Sequence, residues 1–157
     1  MPVKSFRGKL VDTNIDIVTL HTNTGSTGYR IKKFILFPHS IGSSTAGSEY
    51  ESLVNIYKTS QTTLTGISAD FSNQALIGAA TYFSEVSGAP AYIIGSNTDV
   101  VFDNEVFNQD IYIVHENFHG DNAAINYYIE LEQIKLDLNE NTVATLKDIR
   151  NIEASSV

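Results

Sequence analysis

Apolar and polar residues alternate over short stretches along most of the chain, a pattern typical of half-buried β-strands. Turn-forming Gly, Asn, Asp and Ser residues separate these stretches. The pattern predicts strands over residues 3–11, 15–20, 29–37, 53–58, 92–94, 100–102, 111–114 and 127–138. Short strands at such spacing predict an all-β fold, an antiparallel β-sandwich or jelly roll, and we expect residues 1–157 to form a single domain.

Three segments depart from simple alternation. The stretch Gln74–Phe83 fits a short helix or a buried strand, and we favour the strand. Phe34–Phe37 is continuously apolar, which predicts that its strand runs into a core that covers both faces. Within Tyr127–Leu138 the apolar positions change parity at Gln133, which predicts a β-bulge near that residue or a change of sheet.

The end of the chain has a different period. Val143, Leu146 and Ile149 recur at helical spacing, so we expect a short amphipathic α-helix at about 142–152. This helix packs either on its own domain or on a neighbouring subunit. A polar loop rich in Ser and Gly spans residues 39–48 and is long for a hairpin. We expect contacts with other proteins at these two places.

Charge and composition exclude several functions. The net charge is −8, and no cluster of Lys and Arg occurs along the sequence, so we expect no nucleic-acid partner. The absence of cysteine excludes disulfides and thiolate metal sites. No apolar run is long enough for a membrane helix, and none follows the charged start Met1–Arg7 as in a signal peptide. We therefore expect synthesis in a cytoplasm and no membrane partner.

One short motif matches a zinc protease pattern. His115, Glu116 and His119 have the His-Glu-x-x-His spacing, which requires a helix with both imidazoles on one face. Here the preceding residues alternate as a strand, and on a strand the two histidines lie on the order of 13 Å apart. His21 and His39 offer no spacing for a third ligand. We therefore interpret the motif as a strand end and turn with exposed histidines.

A run of acidic and amide residues offers oxygen ligands for calcium but lacks the spacing of a known calcium loop. Its members are Asp99, Asp103, Asn104, Glu105, Asn108 and Asp110. We interpret this run as a solvated turn. Glu130 and Glu132 share one strand face and are interpreted as solvent-exposed. The sequence therefore predicts no catalytic, metal-binding or cofactor-binding residues.

Three segments resemble virion structural proteins of marine tailed phages, such as those that infect cyanobacteria. They are MPVKSFRGKL (1–10), VVFDNEVFNQDIY (100–112) and NYYIELEQ (126–133). The stretch 39–95 takes no part in this resemblance. The resemblance implies a structural component of the phage particle but not its position there. Because no catalytic motif is present and the net charge is acidic, we expect a non-enzymatic protein, made in the host cytoplasm and located on the outer surface of the head or tail.

Two functions follow as expectations. The first is a capsid decoration protein that stabilises the shell through contacts with the major capsid protein or other virion proteins, as a homo-oligomer for which we expect a trimer. The second is a receptor- or glycan-binding module at the tail or a vertex. Tyr127 and Tyr128, or Tyr92, are its candidate sugar-stacking residues, although most such tyrosines belong to cores or cross-strand pairs.

Overall fold

The computed structural model of the chain contains eight β-strands in two antiparallel sheets. It describes residues 2–20, 26–39, 49–62, 64, 67–87, 92–102, 104–118, 123–137, 139–140 and 142. The strands are β1 (Val3–Leu10), β2 (Asn14–Val18), β3 (Thr27–Pro38), β4 (Glu49–Tyr57), β5 (Leu76–Ser87), β6 (Tyr92–Val101), β7 (Ile111–Asn117) and β8 (Ile125–Lys135).

The strand order confirms the expected all-β sandwich. One sheet has the order β1-β8-β3 and the other β2-β7-β4-β5-β6. This arrangement matches a jelly roll in seven of its eight strands, with β1-β8-β3 in one sheet and β2-β7-β4-β5 in the other. In a complete jelly roll the sixth strand pairs with β3 and so belongs to the first sheet. Here β6 pairs with β5 instead. It still reaches β3, because the Asn97 side-chain amide donates a hydrogen bond to the Leu36 carbonyl at 3.2 Å.

The main core lies between the sheets, where the inward residues of alternating strands meet. Residues of both sheets contribute to this single cluster. Burying each of the larger aliphatic side chains contributes roughly 1.5–3 kcal/mol. Its most deeply buried members include Leu10, Tyr29, Ile31, Phe34, Ile56, Phe107, Ile111, Ile113, Ile125, Ile129 and Leu131.

A second, smaller core covers the opposite face of the five-stranded sheet. There Tyr57, Leu76 and Val114 pack with residues of the segment between β4 and β5, including Leu64 and Ile67. The five-stranded sheet is therefore covered on both faces, which explains why parts of its strands are continuously apolar. The three-stranded sheet has no such cover among the described residues.

Several strand predictions are confirmed and others are wrong. The favoured strand interpretation of residues 74–83 is confirmed by β5. The two short strands expected at 92–94 and 100–102 are one strand, because residues 95–99 pair with β5 without a turn. The two-sided core expected around Phe34–Phe37 is wrong, since Ile35 and Phe37 are 37% and 65% exposed.

The bulge expected near Gln133 is also wrong. The register of β8 is continuous from Ile125 to Lys135, and the irregularity lies in the neighbouring β3, between Ile31 and Lys33. The parity change reflects the end of the strand, since Leu136 is buried beyond Lys135. Asp137 and Glu140 exchange backbone-to-carboxylate hydrogen bonds of 2.7 and 2.9 Å, as in a helix capping box. Residues 143–152 of the predicted helix and residues 40–48 of the polar loop lie outside the described residues.

Candidate binding surface

The His-Glu-x-x-His motif begins at the end of β7. This strand includes the predicted strand residues 111–114 and continues through His115 and Glu116 to Asn117. His115 and Glu116 are consecutive strand residues, so their side chains lie on opposite faces of the sheet. The Glu116 carboxylate accepts a hydrogen bond from the Ile67 backbone N–H at 2.7 Å and thereby holds the covering segment. His119 lies outside the described residues. This geometry is not that of a zinc protease, whose histidines share one helix face.

His115 is fully buried between the sheets, so the expectation that it is exposed is wrong. Its Nδ1 lies 2.9 Å from the Val11 carbonyl, and its Nε2 lies 3.0 Å from the Ser52 hydroxyl. Because a carbonyl only accepts, Nδ1 carries the proton and Nε2 accepts the Ser52 hydroxyl hydrogen. Burial lowers the pKa of His115. The side chain joins β7 and β4 to the connection that follows β1.

The acidic and amide residues between 99 and 110, which the sequence analysis interprets as a solvated turn, lie in separate parts of the structure. Asp110 accepts a hydrogen bond from the Leu20 N–H at 2.8 Å, and Glu105 lies 3.1 Å from the buried Lys58 ammonium. Asp99 belongs to β6, Asn108 is buried, and Asp103 lies outside the described residues. Within the described ranges, no three His, Asp or Glu side chains are grouped to hold a metal ion.

The fold segregates charge between its two sheets. The three strands β1, β3 and β8 contain seven of the ten Lys and Arg residues of the chain and only two acidic residues, Glu130 and Glu132. The five strands of the other sheet contain six acidic residues and no Lys or Arg. Most of these basic residues come from two segments that are distant in the sequence, β1 and β3, so their concentration on one sheet is visible only in the structure.

The open face of the three-stranded sheet carries most of this positive charge. Its four cross-strand rows are Val3–Glu132–Arg30, Ser5–Glu130–Lys33, Arg7–Tyr128–Ile35 and Lys9–Asn126–Phe37. Glu132 pairs with Arg30, whose hydrogen bond lowers the pKa of Glu132. We call these twelve residues the basic face. One end holds ion pairs, and the other end combines Arg7 and Lys9 with exposed apolar side chains.

A cleft of about 400 Å³ occupies the second end of the basic face. Its walls are Arg7 on one side and Ile35 and Phe37 on the other, and Asn126 and Tyr128 lie between them. The Tyr128 hydroxyl donates to Glu130 at 2.8 Å, so the ring leans along β8 towards the ion pairs. The small Asn126 side chain then leaves the space between β1 and β3 open. Within the described part of the chain, no carboxylate pairs with Arg7.

The structure separates the tyrosines that sequence placed together. Tyr127 is buried in the main core, where its hydroxyl donates to Asp16 of β2. It is therefore not available to stack on a ligand. Tyr128 lines the cleft and remains a candidate contact residue. Tyr92 lies in β6. Alternation within β8 separates Tyr127 from Tyr128, but the cleft depends on register across three strands, which the sequence does not display.

No protein-family model matches the chain, and a search of the curated proteins finds no significant match. The part of the chain that the structure describes contains no helix long and apolar enough to cross a membrane. Geometry and charge therefore identify one candidate functional region, the basic face with its cleft.

Proposed function

We propose that the protein is a non-enzymatic structural component of a tailed-phage particle, namely a capsid decoration protein on the outer shell. The observation that carries the proposal is the composition of the basic face. Its cleft end presents Arg7, Tyr128 and Phe37, three residue types that are enriched at the centres of protein interfaces. The charged residues Lys9, Glu130 and Lys33 border this end, as polar residues do at the rim of an interface.

The segregation of charge supports a fixed orientation on the particle. A basic face binds an acidic partner surface, and the acidic remainder of the chain then faces outward. The resemblance of three segments to phage virion proteins favours the major capsid protein or other virion subunits as these partners. A decoration protein acts by adding interface area between capsomers, and a trimer fits a local threefold axis.

A receptor- or glycan-binding module at the tail or a vertex is the second candidate. The cleft favours it, because the Tyr128 ring can stack on a sugar while Arg7 and Asn126 donate hydrogen bonds to hydroxyl or carboxylate groups. Its volume lies within the range of about 300–1,000 Å³ that is common for ligand sites.

Quantitative mass spectrometry of purified phage particles distinguishes the two candidates. A copy number comparable with that of the major capsid protein supports decoration. A copy number that matches the tail proteins contradicts decoration and supports the second candidate, which a glycan array with the isolated protein then tests directly.

A binding experiment tests the face itself. Arg7→Gln should weaken attachment to shells that lack the protein by about tenfold, because Arg7 lies at the cleft. Thr98→Asp changes the net charge by the same amount on the exposed side of β6 and should leave attachment unchanged. Equal losses in both variants would show that net charge, and not the basic face, governs attachment.

A further inference from the structure

Strand β6 forms one edge of the five-stranded sheet and leaves that edge open. It is ten residues long and pairs with β5 without a register shift, and no described strand pairs with its other side. Residues 96–100 are all exposed. In a complete jelly roll this strand pairs with β3, whereas here it reaches β3 through the Asn97 side chain. The backbone of β6 is therefore accessible to another strand.

One hydrogen bond at the end of β6 identifies the backbone groups that face the open edge. The Phe102 N–H donates to the Ile77 carbonyl of β5 at 3.1 Å. Backbone groups alternate in direction along an antiparallel strand, so the even-numbered residues of β6 bond to β5. The N–H and C=O groups of Asn97 and Asp99 therefore point away from β5, towards the open edge.

The other three sheet edges carry features that oppose strand addition, such as short length, positive charge or an irregularity. β2 has only five residues, and β3 has an irregularity between Ile31 and Lys33. β1 and β3 each contain three basic residues, namely Lys4, Arg7 and Lys9 in β1 and Arg30, Lys32 and Lys33 in β3. β6 contains no Lys, Arg or Pro, and Asp99 is its one charged residue. The sequence of β6 therefore permits pairing that the other edges oppose.

The sequence of β6 also matches itself. When YIIGSNTDVV (92–101) is aligned antiparallel with a second copy about Asn97, apolar residues meet at both ends and small or polar residues meet at the centre. The opposed pairs are Val101 with Ile93, Val100 with Ile94, Asp99 with Gly95 and Thr98 with Ser96.

This register agrees with the direction of the backbone groups. It places Asn97 opposite Asn97 and Asp99 opposite Gly95 in hydrogen-bonded pairs, because all these residues are odd-numbered. A shift of one residue would place Asn97 opposite Thr98, whose backbone groups point to β5. The two Asp99 carboxylates do not face each other, so the pairing brings no like charges into opposition.

We propose that two copies of this chain associate through β6 in an antiparallel pair that joins their five-stranded sheets into one. The twofold axis passes through Asn97 perpendicular to the joined sheet, so both three-stranded sheets lie on the same side of it. The two basic faces therefore point in the same direction. The contact uses neither the cleft nor any residue of the basic face, so the inference goes beyond the proposed function and leaves the cleft to its partner there.

The symmetry of β6 favours this occupant over an extended segment of another protein, which can also add to a sheet edge. Pairing with a foreign strand does not require β6 to be symmetric about its own centre. The contact also limits its own growth, because each copy contributes one β6 and the pair closes at two copies. It is therefore a dimer contact, and it does not build the trimer considered for a local threefold axis.

Two variants at one position test the edge with purified protein in analytical ultracentrifugation. The wild type should be a dimer. Asp99→Pro removes an N–H group that faces the open edge and leaves the bonds to β5 in place. It should weaken self-association about tenfold or more, because the dimer loses two backbone hydrogen bonds. The matched control Asp99→Asn removes the same charge, keeps the N–H group and should remain dimeric. Circular dichroism should confirm the native fold of both variants.

Disulfide cross-linking tests the register without weakening the contact. The chain has no cysteine, so an introduced thiol can pair only with another introduced thiol. Ser96 and Thr98 of the two copies form a non-hydrogen-bonded pair with Cα atoms about 4.5 Å apart, within the range of a disulfide. A mixture of Ser96→Cys and Thr98→Cys proteins should therefore form a cross-linked heterodimer on mild oxidation. In the control mixture Thr81→Cys replaces Thr98→Cys. Thr81 is exposed and lies opposite Thr98 on β5, one strand farther from the axis, so the yield should be at least tenfold lower.

Three results would overturn the inference: a wild type that is monomeric or trimeric at high concentration, equal self-association of Asp99→Pro and Asp99→Asn, or equal cross-linking in the two mixtures. If β6 pairs only with another virion protein, the purified chain stays monomeric. These outcomes are independent of the copy number in the particle. A tail-like copy number with a cross-linked dimer contradicts decoration but supports the β6 contact. A capsid-like copy number with a monomeric chain does the reverse.

Discussion

The outer face of the five-stranded sheet is covered, whereas the outer face of the three-stranded sheet is open. On the covered side, Leu76 and Val114 pack beneath the segment between β4 and β5. On the open side, the central rows contain charged residues beside the exposed Ile35 and Phe37. Both sheets share the same core, so the difference lies only in what each presents outward. Apolar side chains therefore stabilise the fold on the covered face and are available for recognition on the open face.

The largest expected loss of stability comes from a substitution on the covered face. Leu76→Ala removes a side chain that is 3% exposed, and it should lower the free energy of unfolding by about 2–5 kcal/mol through lost burial and a residual cavity. The matched change on the open face, Ile35→Ala, should stay within about 0.5 kcal/mol. Urea denaturation measures both. Equal losses would show that Ile35 is covered in solution and that the two faces do not differ.

An intermediate loss of stability is expected for one of two adjacent tyrosines in β8, Tyr127, and almost none for the other, Tyr128. Tyr127→Phe removes the partly buried hydrogen bond from a buried tyrosine to Asp16, which joins the two sheets, and it should cost about 1.5–3 kcal/mol. Tyr128→Phe removes a bond to Glu130 on the open outer face, between two partly exposed side chains, and should change stability by less than about 0.5 kcal/mol. Thermal and urea unfolding give both values. A larger loss for Tyr128→Phe would reverse the assignment of inner and outer faces in β8.

Alkaline pH should distinguish the same pair. Burial, with the bond to Asp16, raises the pKa of Tyr127. Its contribution to stability is therefore complete below the ordinary tyrosine pKa of about 10 and is lost as the pH rises above it. Tyr127→Phe should reduce this alkaline loss. An unchanged alkaline loss in that variant would show that Tyr127 ionises as freely in the folded protein as in the unfolded chain.

The alternation of apolar and polar residues predicts most strands of the sandwich. It does not predict which outer face is covered and which is open. The alternation in β8 separates Tyr127 from Tyr128 in the sequence itself. The assignment of Phe34–Phe37 to a two-sided core failed because continuous apolar runs arise for two reasons. In Leu76–Ala80 both faces are covered, whereas in β3 the outward residues line a cleft. Local sequence does not distinguish these cases, since the cover comes from a remote segment.

The candidate surface depends on register between strands that are distant in the chain. Arg7 and Ile35 face each other across the cleft only because each lies opposite Tyr128. Glycine at position 8 is part of the same arrangement, since a Cβ there would lie 2.8 Å from the Tyr127 ring and 3.0 Å from the Asp16 carboxylate. The small side chain therefore allows Tyr127 to reach across to β2. A sequence contains these residues but not the pairings that bring them together.

The smallest expected change in the free energy of unfolding at neutral pH concerns His115, which is buried between the two sheets. Burial lowers its pKa, so the folded protein binds the proton less readily than the unfolded chain, whose ordinary value is about 6.5. Above that pH both states are neutral and His115 causes no pH dependence. As the pH falls below it, the unfolded state gains the proton first, and the free energy of unfolding decreases until the folded-state pKa is reached.

Urea denaturation at several pH values between about 7.5 and 5 measures this loss, and an NMR titration of the imidazole protons assigns it to one residue. His39→Gln, at an exposed position, is the matched control variant. The geometry explains the direction: Nδ1 already donates to the Val11 carbonyl, so a second proton must bind at Nε2, which accepts the Ser52 hydroxyl hydrogen. Protonation of Nε2 therefore requires the Ser52 hydroxyl to rotate away, although both side chains are buried. A folded-state titration of His115 at or above the ordinary value would show that water reaches the junction between the sheets.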